Sequence, residues 1–381
     1  MGDTVSLSLA TSQDSLFQKR TLYPADQRQA GCVCRDGTWY WDFSTNDYLG
    51  LASAPEMTSV VQAAIQNYGF GATGSRLLSG HSVIYDQLES RLAALFSRES
   101  SLVFNSGYQG NLAILSGLLG SQDVVFADKL CHASWIDAVR LSGASLIRYR
   151  HQDIGHLERL LQQKRVGFDG ALILTESVFS MDGDVSQIAP LVNLKRQYNT
   201  QLLVDEAHGF GVLGPSGLGQ CALEGCVSDV DYLVGTFGKS CGGMGGFLVC
   251  DAAVRDCLIQ SSRPFIYSTA LPPAVMAWNL KAIEMLQEMD EARQSLLSQA
   301  AYFRNGLLER GYETMGESPI IPLILGSNQA VCELSDRLKE KGFWVPAIRT
   351  PTVPKGRERL RFSLCVAHEK VVLDEVLDVL S

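Results

Sequence analysis

QLLVDEAHGFGVLG (residues 201–214) and, after a short interval, DYLVGTFGKSCGGMGGFLV (231–249) decide how this chain is read. Leu202 to Val204 and Tyr232 to Val234 are short apolar runs that end in polar residues and glycines. That is the pattern of parallel strands buried on both faces. Just past their ends stand an acid, Asp205, a histidine, His208, and a lysine, Lys239. In an open α/β sheet, residues beyond the carboxyl ends of the strands line the ligand crevice.

Working outward, strands are expected at 101–105, 124–127, 146–149, 171–175, 201–204, 232–235 and 246–250, with helical segments between them. This alternation predicts an α/β fold with a mostly parallel seven-stranded sheet flanked by helices. The run 246–250 follows its predecessor after a glycine-rich turn and is expected to be antiparallel. Upstream, Arg35-Asp36-Gly37 signals a turn before the β-prone TWYWDF (38–43), and helices are expected over 55–68, stopped by Gly69, and over 85–96. In the second of these, Leu88, Leu92 and Leu95 share one face. Downstream, Pro272-Pro273 starts one long helical stretch to about Arg310. Strands at 320–325, 344–348 and 360–365 and helices at 328–341 and 368–380 then make a smaller α+β unit. The expected division is an N-terminal arm with a small β unit (1–54), a large α/β domain (55–285) and a C-terminal α+β domain (286–381).

The composition narrows the function. At 381 residues, 46% apolar and 19% charged, the chain has an ordinary globular mix. A net charge of −9 argues against a nucleic-acid surface. No run approaches the ~18 apolar residues of a membrane span, and MGDTVSLSLATSQDSLFQKR lacks the pattern of a secretory signal. The ten cysteines include no CxxC pair, and Cys32 and Cys34 stand too close together for a zinc knuckle. No metal site is expected, the cysteines read as free thiols, and the expected location is the cytoplasm.

Lys239 lies in GTFGKS, with Gly238, Gly242 and Gly243 around it. A lone lysine usually reads as a surface charge, but these glycines permit close approach of a bulky group. A Schiff-base lysine needs that access and a site that lowers its pKa. Asp205 alone would read as a cap or a loop hydrogen-bonder; in pyridoxal phosphate (PLP) chemistry an acid keeps the pyridine nitrogen protonated, so that the ring acts as an electron sink. The reading is that Lys239 holds PLP as a Schiff base and Asp205 pairs with the pyridine nitrogen. His208 would meet the phenolic oxygen and His132 would stack on the ring, although each histidine taken singly reads as structural. Asn105-Ser106-Gly107-Tyr108 ends a strand and opens a helix, a geometry that suits a phosphate. DEAH (205–208) and GKS (238–240) together suggest a nucleotide-driven helicase. However, a phosphate loop requires glycine at the position of Leu233 and should precede the acidic strand.

Motifs along the whole chain, in order, carry a resemblance: STNDYLGL (44–51), GSR (74–76) with Gly80, HAS (132–134), ESVFSMDGD (176–184), VDEAHGFGVLG (204–214), TFGK (236–239), IYSTALPP (266–273) and RTPTVPKGRERLRFSL (349–364). The chain resembles the α-oxoamine synthases, PLP enzymes of fold type I that condense an amino acid with an acyl thioester and release carbon dioxide. Thr350 and Cys241 depart from the family's pattern, and neither position carries the assigned chemistry. The resemblance implies that Lys239 carries the cofactor, Asp205 and His208 hold its ring nitrogen and phenolic oxygen, and His132 stacks on it. It implies that Ser180 and Thr236 contact PLP and that Gly107 and Tyr108 lie at its phosphate edge. Ser268 and Thr269 would reach the phosphate of a neighbouring subunit, making a homodimer with shared active sites. Arg20, Asn46 and Thr352 match substrate-contacting positions, and Arg361 matches the arginine that grips the amino-acid carboxylate. The IYST-x-x-PP run and Ile348 to Pro354 are similar to the biotin-pathway member that joins L-alanine to a pimeloyl thioester, carried on coenzyme A or an acyl carrier protein. Members that use glycine or serine share the core residues. Arg20, Arg357 and Arg359 are the expected candidates to meet the donor's phosphates.

Overall fold

The computed structural model describes residues 21–381, so Arg20 lies outside the described residues. The chain enters through β1 (Gln27–Gln29), β2 (Cys32–Arg35) and β3 (Thr38–Asp42), paired antiparallel in sequence order. Asp36 and Gly37, at φ 50° and 73°, turn β2 into β3. Two successive left-handed residues make the tight hairpin turn whose twist matches its strands.

The large sheet contains β4 (Ser100–Phe104), β5 (Val124–Asp128), β6 (Ser145–Tyr149), β7 (Ala171–Glu176), β8 (Gln201–Asp205), β9 (Tyr232–Thr236) and β10 (Gly246–Cys250). They lie in the order β4-β10-β9-β8-β7-β5-β6. The pairs β6/β5, β5/β7, β7/β8 and β8/β9 are parallel, whereas β10 is antiparallel to both β9 and β4. The period of two along each strand sorts the side chains into two cores. Val124, Phe126, Ile173, Leu202, Val204, Leu233 and Phe247 face one side; Val125, Ala127, Leu172, Leu174, Leu203, Val234 and Leu248 face the other. The first core runs on into Phe303, Leu360, Phe362 and Leu373, which joins the large sheet to the C-terminal part of the chain.

That part holds β11 (Ile320–Ile324), β12 (Phe343–Trp344), β13 (Ala347–Ile348) and β14 (Arg359–Ser363). Two expectations change here. The single strand expected over 344–348 is two strands in two sheets: β12 pairs parallel with β3, while β13 pairs with β14 in the order β11-β14-β13. Pro346 stands between them and has no N–H with which to continue a ladder. The long helix from Pro273 is also two, Pro273–Leu286 and Asp290–Glu309. No glycine or proline marks the break. It is sustained by the buried Arg293, whose guanidinium donates to the freed Leu286 carbonyl at 2.5 Å and also bonds Asp290. Among the described residues, no helix is long and apolar enough to cross a membrane.

Candidate active site

The strand register brings carboxylates together at the carboxyl edge of the sheet, with Glu176 at the end of β7 directly opposite Asp205 at the end of β8. Asp205 is buried and held by two donors, the Trp135 Nε1–H at 2.8 Å to Oδ2 and the Ala207 N–H at 2.9 Å to Oδ1. Each such charge-assisted bond contributes on the order of 1.5–3 kcal/mol, so the carboxylate has one orientation. Glu176 accepts the His132 backbone N–H. Burial, and then the charge of Asp205, push its carboxyl well above the usual range.

Lys239 lies in the turn after β9, which is closed by Gly242 N–H donating to the Lys239 carbonyl at 2.8 Å and Gly243 N–H to the Phe237 carbonyl at 2.9 Å. Its Nζ makes no hydrogen bond to any described residue. Burial lowers its pKa to about 8, against the opposing pull of Asp205 and Glu176 and with the help of Arg361. His132, Asp205 and Lys239 therefore share one electrostatic neighbourhood: burial lowers the His132 imidazole, Asp205 opposes that and Lys239 adds to it.

His132 caps the helix Ala133–Ser142, with Nδ1 2.7 Å from Ser134 Oγ. The Tyr108 ring meets it edge-on at 6.4 Å. Gly107 opens the helix Gly107–Leu118 beside Thr236, whose hydroxyl donates to the Gly245 carbonyl at 2.9 Å. Gly246 passes so close that a Cβ there would lie 2.8 Å from Gly107 Cα. Gln109 of the same helix donates to Ser268 Oγ at 2.5 Å, and Asn105 donates to the Thr269 carbonyl at 2.6 Å. Residues 105–109 and 268–269 thus form one wall.

Across the site, the buried Arg361 of β14 donates through Nε to the Ser180 carbonyl at 2.5 Å and through a terminal nitrogen to Asn46 Oδ1 at 3.3 Å. His208 is buried, and Tyr48 OH lies 2.7 Å from its Nδ1. Burial, then Lys239, Arg361 and His132, hold His208 well below the usual histidine range. Thr352 is exposed, on the loop between β13 and β14, its N–H bonded to the Arg349 carbonyl at 2.9 Å.

Ser180 belongs to a hairpin over 178–185 that joins the two parts of the molecule. His151 fastens it to the large sheet, with Nδ1 2.9 Å from Asp128 Oδ1 at the end of β5 and Nε2 2.7 Å from Asp184 Oδ2. From the other side, Arg359 pairs with Asp182 and donates to the Met181 carbonyl at 3.1 Å. Arg359 is 3% exposed, so the expectation that it meets donor phosphates is corrected: its guanidinium is committed to the hairpin. Arg357 pairs with Glu313. Glu176, Tyr48, Trp135 and His151 were assigned no role from the sequence. The first two lie inside quoted motifs that signalled importance without a task, and Trp135 and His151 carried no local signal at all.

A family model, aminotransferase class I and II, matches residues 40–380, and the chain belongs to that family. It is 45% identical over 350 residues to a putative 8-amino-7-oxononanoate synthase of Glaesserella parasuis, covering 91% of this chain and 92% of that one. Among solved structures, serine palmitoyltransferase of S. paucimobilis with PLP–myriocin bound superposes with a TM-score of 0.90 at 29% identity, covering 94% of this chain and 91% of that one. The 8-amino-7-oxononanoate synthase of Francisella tularensis gives a TM-score of 0.76 at 32% identity, covering 89% and 96%. Within the family the chain is an α-oxoamine synthase, a PLP-dependent acyltransferase of fold type I.

The residues present suit PLP. An amine without a hydrogen-bond partner among the described residues stands near a buried carboxylate held by two donors. A helix N-terminus opening on Gly107, where no side chain obstructs an anion, completes the set.

Proposed function

We propose that this protein is an 8-amino-7-oxononanoate synthase that joins L-alanine to a pimeloyl thioester, on coenzyme A or an acyl carrier protein, releasing carbon dioxide in biotin biosynthesis. The Lys239 amine carries the reading: half-buried, with a pKa of about 8, and with Asp205 and Arg361 acting on it electrostatically. The substrate pair is supported by the names of relatives at this level of identity.

Bound PLP supplies an electron sink for the carbanion left when the amino acid loses its Cα proton. Lys239 is the amine that would hold the cofactor and, once displaced by substrate, the base that takes that proton. A pKa of about 8 leaves enough free amine near neutral pH for the task. Asp205 pairs with the pyridine N–H, and Trp135 keeps its carboxylate aimed. His208 meets the phenolic oxygen. His132, held at its backbone by Glu176, covers the ring. Ser180 and Thr236 contact the cofactor, and Gly107 and Tyr108 border its phosphate. Arg361 and Asn46 grip the alanine carboxylate, a bidentate task suited to a planar guanidinium. Arg20 and Thr352 contact substrate. In this reading residues 55–285 are the domain that holds the cofactor, 286–381 the C-terminal domain that brings in Arg361, and 1–54 the N-terminal arm and small β unit of a cytoplasmic enzyme.

Ser268 and Thr269 reach the phosphate of a second copy in a homodimer. In support, Thr269 bridges to Ser75, and Leu78 and Tyr267 nearby are 82% and 73% exposed, apolar surface that a partner would cover. A second reading is condensation of serine or glycine, and the superposition on serine palmitoyltransferase favours the serine form of it. One experiment separates the two: a spectral titration of the PLP-loaded protein with L-alanine, glycine and L-serine in turn, followed by pimeloyl-CoA. A shift with alanine, and product only with the pimeloyl donor, is expected; a response confined to glycine or serine refutes the substrate, and no visible band refutes the enzyme.

A further inference from the structure

Tyr48 lies between the two halves of the site. Its hydroxyl is 2.7 Å from His208 Nδ1, its ring meets the imidazole edge-on at 6.1 Å, and both side chains are buried. The Arg361 guanidinium acts on the same phenol from the other side. A guanidinium carries only donors, so toward Arg361 the Tyr48 oxygen accepts, and its single proton is left for another partner. Three acceptors surround it: His208 Nδ1 at 2.7 Å, Asn46 Oδ1 at 3.5 Å, and the Ser363 hydroxyl, which acts on the phenol but whose Oγ makes no hydrogen bond to any described residue. The first is a good hydrogen bond and the second is marginal; Asn46 Oδ1, moreover, already receives a proton from Arg361.

Burial raises the phenol's pKa, so the proton stays on Tyr48. Burial, with the charges of Lys239, Arg361 and His132, keeps the His208 imidazole neutral. A neutral imidazole bears one N–H, and the ring nitrogen that accepts a bond determines where it sits. With Nδ1 accepting from Tyr48, the proton is on Nε2.

We propose that Tyr48 is a positioning residue that fixes the tautomer of His208, so that Nε2 presents an N–H donor to the cofactor's phenolic oxygen. The proposal rests on the reading that His208 meets that oxygen. Without Tyr48, the proton can move to Nδ1, leaving Nε2 a lone pair that repels a phenolate. The family motif STNDYLGL thus contributes the buried Tyr48 to the cofactor side, besides the partly buried Asn46 on the carboxylate side.

The test is nitrogen-15 spectroscopy of histidine-labelled protein, free and PLP-loaded, comparing wild type with Tyr48→Phe and using His208→Asn to assign the signals. Wild type is expected to show His208 only as the Nε2–H tautomer, with Tyr48→Phe giving a mixture and PLP affinity weaker by roughly 5- to 10-fold, the loss of about one hydrogen bond. An Nδ1–H tautomer in wild type overturns the proposal even where the variant fails to fold, and an unchanged single tautomer in Tyr48→Phe overturns it too. Should PLP leave the His208 nitrogens of wild type unmoved, the contact between His208 and the cofactor is refuted, while the tautomer result still judges Tyr48 separately.

Discussion

Replacing His151 with asparagine removes the cation that ties the 178–185 hairpin to the large sheet. In the folded protein, burial pulls the His151 pKa down, but the hydrogen bonds and charges of Asp128 and Asp184 outweigh it and raise it to about 10. The unfolded value is about 6.5, and each unit is worth about 1.36 kcal/mol, which sets a ceiling of ~5 kcal/mol. The side chain is 28% exposed, so water screens part of the attraction, and the expected contribution is about 2–3 kcal/mol. A pKa raised on folding stabilises fully below the unfolded value and loses that stabilisation as pH rises through the folded one. Urea unfolding of PLP-loaded wild type and His151→Asn, followed by tryptophan fluorescence, reads the difference. The variant should be less stable by about 2–3 kcal/mol near neutral pH, with the gap closing toward about pH 10. A gap that stays flat or widens between those conditions refutes the ion-pair account and leaves only a packing role.

Lys239→Ala should abolish the visible band formed with PLP, and a surviving lysine-linked chromophore would rule out the assignment. Asp205→Asn should still bind PLP but turn over at least ~10²-fold more slowly, because it no longer holds the ring nitrogen's proton; near-normal kcat would remove that role. Arg361→Lys should raise KM for alanine by roughly 10- to 100-fold through loss of the forked hydrogen bonds, with a much smaller change in kcat; an unchanged KM in steady-state assays would move the carboxylate site elsewhere. Gly246→Ala should cost about 1–3 kcal/mol by chemical denaturation, since the new methyl would lie 2.8 Å from Gly107 Cα; wild-type stability would contradict that approach.

All seven strands of the large sheet were legible because six are apolar runs closed by glycines or polar residues and β6, at the sheet edge, keeps Leu146, Ile147 and Tyr149 around an exposed Arg148; even the reversal of β10 showed in the short glycine-rich turn before it. The C-terminal strands were less so. The division of β12 from β13, and the break near Met289, depend on which partner satisfies the backbone: β3, far upstream, for the one, and the Arg293 side chain, seven residues past Leu286, for the other. Local periodicity carries no trace of either partner.

The candidate site divides in the same way. Asp205, His208 and Lys239 were found because chemistry at the carboxyl ends of parallel strands is a local property of the sequence. Glu176 at the side of Asp205, Trp135 donating to it, Tyr48 on His208 and Arg359 bound to the hairpin emerge only when strand register and packing bring together residues far apart in the chain. The sequence by itself determined which groups are candidates for the chemistry, since a lysine, an acid and glycines have fixed chemical character wherever they lie. Tertiary structure alone decided their orientation and charge state, because burial and the neighbours it supplies set which carboxyl, amine or imidazole holds its proton.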